Sequence, residues 1–193
     1  IGLQNVGIDI YLSEKLPFLR AKGATIIANI YGHSADEYVE LARRLDAEDA
    51  ADAIEANLSC PNVHDARKAK GAVLVSQDPR CVDEYTRAIR EVTKLPLIVK
   101  LTPNVMDITE PALAAEAAGA DALCLINTLL GLAIDADTRR PRLSNIVGGL
   151  SGPAIRPVAV KMVWDAHRVV TIPIIGTGGI CHADDAIEFF LAG

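Results

Sequence analysis

The residues best suited to chemistry lie in one short segment, Asn57-Leu58-Ser59-Cys60-Pro61-Asn62. It follows residues 52–56, an apolar stretch that is typical of a buried strand. The segment carries amides and a hydroxyl that form hydrogen bonds, and one thiol that can act as a base or a nucleophile. Pro61 favours an extended backbone at Cys60, which would hold the thiol in place at the end of the strand. The same segment is equally compatible with a strand-to-loop turn that buries a structural cysteine.

The other predicted strands also end in polar or small residues, namely Asn29, Lys100, Asn127-Thr128 and Gly176-Thr177-Gly178-Gly179. Because the carboxyl ends of barrel strands lie on one face, these groups would converge on a single pocket with Asn57 and Cys60. A lysine at the end of an apolar strand either reaches to solvent or faces an anion, and the polar neighbours of Lys100 favour the anion.

Two glycine-rich loops, residues 148–152 and 176–179, offer backbone N–H groups without bulky side chains. The first precedes a predicted helix and the second follows a predicted strand. Such loops near the last strands of a barrel commonly bind phosphate. Neither has the GxGxxG spacing of a dinucleotide-binding fold, so the two loops together indicate a phosphate-bearing ligand of another kind.

Composition narrows the class of protein. Of the 193 residues, 50% are hydrophobic but only 4% are aromatic, so the core must consist of Ala, Val, Ile and Leu. That composition suits parallel strands covered by helices. The net charge is −6 with no basic block, which argues against nucleic-acid binding, and no apolar run is long enough to span a membrane.

The cysteines and histidines show no metal-binding spacing. Cys60, Cys81, Cys124 and Cys181 contain no CxxC pair, so we expect neither zinc nor an iron–sulfur cluster on this chain. The four histidines are also not paired at ligand spacing. We therefore predict no metal site, and a reduced, cytoplasmic protein is the simplest interpretation.

The order of predicted elements indicates an α/β fold. Strands are predicted near residues 25–29, 53–58, 97–101, 122–127 and 172–176, and helices alternate with them. Ser34 with Glu37, and Asp78 with Pro79, are typical helix starts. Alternating strands and helices predict βαβ units and a parallel sheet.

The length predicts an incomplete barrel. A complete (β/α)₈ TIM barrel needs roughly 250 residues, and the helix predicted at 183–193 is not followed by its strand. We therefore expect residues 1–193 to form a single barrel domain, truncated at both ends and covering about five central strands. A doubly wound open sheet is the alternative architecture.

Five motifs, in order, resemble class 1 dihydroorotate dehydrogenase. They are Ile1-Gly2-Leu3-Gln4-Asn5, the segment 57–62, Lys100-Leu101-Thr102-Pro103-Asn104, Leu125-Ile126-Asn127-Thr128-Leu129, and residues 148–155. The fourth and fifth of these motifs, around Ile126-Asn127-Thr128 and Gly149-Leu150-Ser151-Gly152-Pro153, are similar to the class 1B catalytic subunit in particular. The resemblance implies an FMN-bearing (β/α)₈ barrel that oxidises dihydroorotate to orotate in pyrimidine biosynthesis.

The resemblance also implies roles for individual residues. Cys60 matches the catalytic base, and Asn57 would contact both FMN and substrate. Further substrate contacts are implied at Gly2, Leu3, Asn62, Asn127 and Thr128. Further FMN contacts are implied at Asn29, Lys100, Ile126, Gly152, Gly178 and Gly179.

The partners implied by the resemblance are a second copy of the chain and an electron-transfer subunit. That subunit would carry FAD and a [2Fe–2S] cluster and pass electrons to NAD, giving a homodimer within a heterotetramer. The sequence departs from the family at Val6, where Pro is usual, and at residues 64–77, which replace a loop richer in Gly and are expected to form a lid. The alternatives are a flavin-dependent dihydropyrimidine dehydrogenase and a non-catalytic flavin- or phosphate-binding barrel.

Overall fold

A computed structural model describes residues 5–59 and 74–193. Its centre is a five-stranded parallel sheet. The strands are β1 (Ile27–Ile30), β2 (Ala53–Asn57), β3 (Leu97–Lys100), β4 (Ala122–Leu125) and β9 (Ile174–Gly176). Four short strands, β5 to β8, lie between β4 and β9 in the chain and are not part of this sheet. Their spatial order is β1-β2-β3-β4-β9, and each neighbouring pair is parallel.

This strand order identifies the architecture. In a doubly wound sheet the strand order reverses at a switch point. Here the five strands follow one another across the sheet in the same order as along the chain. The predicted segment of a (β/α)₈ barrel is therefore confirmed, and the alternative of a doubly wound sheet is wrong. All five predicted strands are present, with ends displaced by at most two residues.

Helices follow the sheet strands along the chain. The structure contains α1 (Gly7–Ile10), a π-helical turn (Tyr11–Lys15), α2 (Leu16–Ala21), α3 (Ala35–Ala47), α4 (Pro79–Arg90), α5 (Thr109–Ala117), α6 (Arg156–His167) and α7 (Ala183–Ala192). Short 3₁₀ turns at Val75–Gln77 and Pro153–Ile155 precede α4 and α6. In the described ranges no helix has the length and apolar character needed to cross a bilayer.

Two helix starts form as predicted. The Ser34 hydroxyl accepts a hydrogen bond from the Glu37 N–H at 3.3 Å, which caps α3. The Asp78 carboxylate accepts from the Arg80 N–H at 3.0 Å, and Pro79 is the first residue of α4. These bonds satisfy N–H groups that have no partner within their helix.

The two faces of the sheet bury different side chains. Alternate residues, such as Ile54, Val99 and Leu123, are fully buried in a large apolar core shared with the helices. The opposite face carries a small separate cluster of Ala53, Ile98 and Cys124. Because side chains alternate along a strand, this second face is the barrel's inner face. Towards the carboxyl ends of the strands it carries polar residues.

A small antiparallel unit between β4 and α6 was not predicted from the sequence. It contains β5 (Leu129–Leu132) paired with β8 (Val147–Leu150), and β6 (Ile134–Asp135) paired with β7 (Arg140–Pro141). Gly148 and Gly149 therefore lie in a strand beside β5 rather than in an open loop. Of the glycines in the first predicted loop, only Gly152 lies beyond the strand, immediately before the turn that leads into α6.

Candidate active site at the carboxyl ends of the strands

Asn57, Ser59 and Asn127 form one hydrogen-bonded cluster at the ends of β2 and β4. The Asn57 Oδ1 accepts from the Ser59 hydroxyl at 2.8 Å. The Asn127 side-chain amide donates to the Ser59 Oγ at 2.8 Å and lies 3.3 Å from the Asn57 Oδ1. Tyr38 of α3 donates its hydroxyl to the Asn57 carbonyl oxygen at 2.6 Å. Two of the predicted substrate residues are thus held together, across the end of the intervening strand β3.

Asn104 extends this cluster to the loop after β4. Its side-chain amide donates to the Thr128 carbonyl oxygen at 3.0 Å, and its Oδ1 accepts from the Leu130 N–H at 2.9 Å. Asn127 Oδ1 in turn accepts from the Thr128 N–H at 2.8 Å. Asn104 ends the motif that begins at Lys100, but no role was predicted for it from the sequence. The structure shows that it fixes the backbone on which Asn127 and Thr128 lie.

Lys100 faces an anion of its own chain. Its Nζ lies 3.3 Å from the Glu55 Oε1, and the two side chains are 23% and 13% exposed. The Asn29 side-chain amide donates to the same carboxylate oxygen. Glu55 thereby joins two predicted flavin residues from β1 and β3. The role of Glu55 was not predicted. A single carboxylate inside an otherwise apolar strand is nevertheless visible in the sequence, and such a buried charge needs a partner.

Cys124 lies beside this group but is unsuited to act as a base. It is Lys100's partner in the parallel register of β3 and β4, and its side chain is buried. Burial, followed by the negative charge of Glu55, raises the pKa of the Cys124 thiol to about 12. The thiol is therefore neutral near pH 7. This environment suits a structural role for Cys124.

The two predicted glycine loops meet beside the start of α6. Gly152 and Gly179 have φ values of 92° and 77°, which favour glycine. A Cβ atom on Gly179 would lie 2.8 Å from the Gly152 carbonyl oxygen, and one on Gly178 would lie 3.2 Å from the Ile155 side chain. Only glycine fits this close approach. The loops therefore contact each other through their backbones at Gly178 and Gly179, whereas a Cβ atom on Gly152 would meet no other atom within 4 Å. These three glycines with the open space beside Gly152 are called the glycine recess.

The end of β9 is tied to the end of β4. The Ile126 N–H donates to the Thr177 carbonyl oxygen at 3.2 Å, and the Thr177 hydroxyl donates to the Ile126 carbonyl oxygen at 3.0 Å. Ile126 is buried, so its backbone contributes to the strand ends while its side chain packs in the core. The glycine recess and the Asn57–Ser59–Asn127 cluster consequently follow neighbouring strands of one sheet.

Four predicted site residues, Gly2, Leu3, Cys60 and Asn62, lie outside the described residues, as does most of the predicted lid 64–77. Ser59 is the last described residue before Cys60, and the chain is described again from Leu74. Ser76 then donates its N–H to the Leu58 carbonyl oxygen at 3.1 Å, and its hydroxyl accepts from the Thr102 N–H at 3.2 Å. Both ends of the segment 60–73 therefore adjoin the candidate site.

No metal site is formed in the part of the chain that the structure describes. Groups of three His, Cys, Asp or Glu side chains arranged to hold an ion are absent from residues 5–59 and 74–193. The polar groups at the strand ends are instead amides, hydroxyls, one ammonium and backbone N–H groups. Such donors and acceptors suit an organic ligand with carbonyl, amide or phosphate groups.

The fold and the site together define a barrel-type α/β protein with a cluster of polar side chains at the carboxyl ends of its parallel strands. A sequence model of one family, described as dihydroorotate dehydrogenase, matches residues 1–193. The chain belongs to the dihydroorotate dehydrogenase family.

Curated relatives match the whole of this chain. Those from Trichlorobacter lovleyi, Geobacter sulfurreducens and Caldicellulosiruptor bescii are 55%, 52% and 51% identical over 193 residues. All three are named dihydroorotate dehydrogenase B (NAD(+)), catalytic subunit. The match covers 100% of this chain but 62% of each relative, so the chain spans less than two thirds of their length.

Proposed function

We propose that the full-length protein oxidises dihydroorotate to orotate in pyrimidine biosynthesis, with FMN as the hydride acceptor. The observation that carries this proposal is the hydrogen-bonded cluster of Asn57, Ser59 and Asn127 at the strand ends. Membership of the dihydroorotate dehydrogenase family and the names of the relatives support the same reaction. We propose residues 1–193 as part of a single FMN-binding barrel domain.

The groups at the strand ends fit a flavin mononucleotide. Gly178 and Gly179 bring the two loops into close contact, the Cβ position of Gly152 faces open space, and glycine loops of this kind bind phosphate. Bound FMN would supply an acceptor for the hydride from C6 of the substrate. The Lys100 ammonium group would stabilise negative charge on the reduced ring, and the Asn29 and Asn57 amides would bind its polar edge. The Ile126 backbone would complete the flavin contacts.

The substrate would bind against the same cluster. Dihydroorotate presents ring amides and carbonyls, which Asn57 and Asn127 can satisfy without adding charge to the site. Ser59, Asn104 and the Thr128 backbone already fix the orientation of the Asn127 side chain, so little freedom would be lost on binding. Gly2, Leu3 and Asn62 complete the proposed substrate contacts, together with Thr128.

Cys60 is the proposed base that removes the proton from C5. It follows Ser59, whose side chain is buried in the cluster, so the chain enters Cys60 directly from the proposed substrate contacts. A thiol with an ordinary pKa near 8.5 acts as a base when the site lowers that value or the pH is high. General-base catalysis at this position would contribute about 10²–10⁴-fold to the rate.

The proposed partner is an electron-transfer subunit. The relatives are named as NAD(+)-dependent catalytic subunits, which implies that another subunit completes their enzymes. We propose that this subunit carries FAD and a [2Fe–2S] cluster and that two catalytic chains form a homodimer within a heterotetramer. The cytoplasmic location expected from the sequence stays a prediction.

The proposal is tested on the purified full-length catalytic chain. Its flavin is released by heat and identified by chromatography, and turnover of dihydroorotate is compared with turnover of dihydrouracil. We expect FMN and a strong preference for dihydroorotate. A preference for dihydrouracil would assign the protein to the dihydropyrimidine dehydrogenases, and bound FMN without turnover of either compound would leave a non-catalytic barrel.

A further inference from the structure

Glu55 is the one carboxylate of β2, and it lies on the inner face of the sheet. Its side chain is only 13% exposed. In the parallel register Glu55 is paired with Asn29 of β1 and Ile98 of β3, and the next inward position on β3 is Lys100. Side chains from three adjacent strands therefore meet at this carboxylate.

Two polar contacts of Glu55 come from proposed flavin residues, and the buried Cys124 thiol is also hydrogen-bonded to it. Its Oε1 is 3.3 Å from the Lys100 Nζ and also accepts a hydrogen bond from the Asn29 amide. A carboxylate at such a position is stable only when it is paired and hydrogen-bonded. The same constraint acts on its partners, because a lysine near the barrel interior also needs a counter-charge. The three side chains thus hold one another in place.

We propose that Glu55 is a positioning residue that fixes Lys100 and Asn29 and sets how strongly the Lys100 charge acts on the flavin. The proposal rests on the proposed function, since it requires FMN at the strand ends. Glu55 is assigned no contact with the flavin or the substrate. It would act through Lys100, whose positive charge it offsets at 3.3 Å.

The direction of the effect follows from the charges. Reduced flavin is stabilised by a nearby cation, and the Glu55 carboxylate weakens the field of that cation. Replacing Glu55 by neutral Gln keeps the shape and an oxygen acceptor for Asn29, but leaves the Lys100 charge without its counter-charge. The reduced form of the flavin then becomes more favourable, and the reduction potential rises.

The test is the reduction potential of FMN in the full-length protein, measured by anaerobic titration with a reference dye. For Glu55→Gln we expect the ratio of reduced to oxidised flavin at a given potential to rise about tenfold, which is about 30 mV for a two-electron couple. The matched control is Glu116→Gln, because the Glu116 carboxylate accepts from Thr171 and Ile172 before β9, away from the strand ends. The control should leave the potential unchanged.

A second background separates action through Lys100 from a direct effect on the flavin. In a Lys100→Met protein, Glu55→Gln should move the potential clearly less, because the part of its effect that comes from positioning Lys100 has been removed. An equal shift in both backgrounds would overturn the proposal by showing that Glu55 acts on the flavin itself. An unchanged potential in Glu55→Gln with Lys100 present would overturn it as well.

Glu55→Asp keeps the test decisive if the Gln variant does not fold. It retains the charge but draws the carboxylate away from Lys100 by one methylene, so we expect a smaller rise in potential, and no rise would overturn the proposal. Failure of the proposed function is distinguishable, because wild-type protein would then lack FMN or fail to turn over dihydroorotate. If wild-type protein contains FMN and the Glu55 variants have the wild-type reduction potential, then only the role of Glu55 is contradicted.

Discussion

At the scale of single residues, the candidate site consists of polar side chains that hold each other before any ligand is present. Asn127 contacts Ser59 and Asn57, and Asn104 fixes the loop on which Asn127 lies. Buried amides without partners are costly, so this network must stay satisfied in the free protein. A ligand that replaces some of these bonds therefore meets groups that are already oriented.

Cys60 and Cys124 should respond differently to the same substitution. In the full-length protein, Cys60→Ala should slow flavin reduction by dihydroorotate by about 10²–10⁴-fold while FMN stays bound, because the base for C5 is lost. Cys124→Ala should alter stability and leave the pH–rate profile unchanged, since the high pKa of that buried thiol keeps it neutral. Anaerobic stopped-flow absorbance across pH measures both. Flavin reduction at the wild-type rate in Cys60→Ala would leave that thiol only a packing role.

The sequence revealed individual site residues unevenly. Asn29, Asn57, Lys100 and Asn127 were predicted because each ends a strand, and the parallel order of the strands then places them on one edge. Glu55 was missed because it lies within a strand, where its significance depends on the side chains of the neighbouring strands. The charge within an apolar strand is visible in the sequence, but the identity of its partners on the neighbouring strands is not.

At the scale of elements, α6 and α7 are joined by an ion pair and a cap beside the glycine recess. The Asp185 carboxylate accepts from the Cys181 and His182 N–H groups at 2.8 and 2.9 Å and pairs with Arg156 of α6. Gly179 also approaches Arg156, where a Cβ atom would lie 2.9 Å from its side chain. The stability of this corner therefore bears directly on the proposed phosphate recess.

Asp185→Asn should lower the stability of the full-length protein at neutral pH. The Cys181 and His182 N–H groups, followed by the charge of Arg156, hold the pKa of Asp185 below its usual value. A lowered pKa in the folded state stabilises the fold above the unfolded value of about 3.9, and this contribution is lost as pH falls through the folded pKa. The difference from wild type should therefore narrow below about pH 4.

The midpoint of urea unfolding, measured from pH 7 down to pH 3, checks this prediction. The control is Asp184→Asn, because Asp184 is the exposed neighbour in the same first turn of α7. It should change the midpoint less than Asp185→Asn does. A loss of stability in Asp185→Asn that is independent of pH would contradict the role assigned to its charge.

The elements of the sheet were predicted well and the antiparallel unit was not. The five strands are short apolar runs between helices with clear start signals, such as Ser34 and Asp78. The strands β5 to β8 contain glycines and exposed residues, including Leu132 and Val147. They lack the alternation of a half-buried strand, and β5 pairs with a strand that lies about 15–20 residues further along the chain.

At the scale of the whole molecule, electrons must leave the proposed flavin for an acceptor outside this chain. The described cysteines Cys81, Cys124 and Cys181 belong to no metal-binding group within residues 5–59 and 74–193. An iron–sulfur cluster requires several thiolates, so we expect the partner subunit to supply it. The match to relatives named as NAD(+)-dependent catalytic subunits supports this division of labour.

The full-length catalytic chain alone should therefore reduce its flavin with dihydroorotate but form NADH only after the electron-transfer subunit is added. NADH absorbance, followed with and without that subunit, measures the difference. Fumarate serves as the comparison acceptor. Efficient fumarate reduction by the catalytic chain alone would contradict the class 1B assignment and favour class 1A.

The most direct test of the central claim is reduction of bound FMN by dihydroorotate in the full-length protein, under anaerobic conditions, for wild type and Asn127→Ala. Wild-type flavin should be reduced as orotate forms, one for one. Asn127→Ala should retain FMN but need about five- to a hundredfold more dihydroorotate for half-maximal rate, because leaving a buried polar group of the substrate without its hydrogen-bond partner costs about 1–3 kcal/mol. An Asn127→Ala protein with the wild-type dependence on dihydroorotate would contradict the placement of the substrate at this cluster.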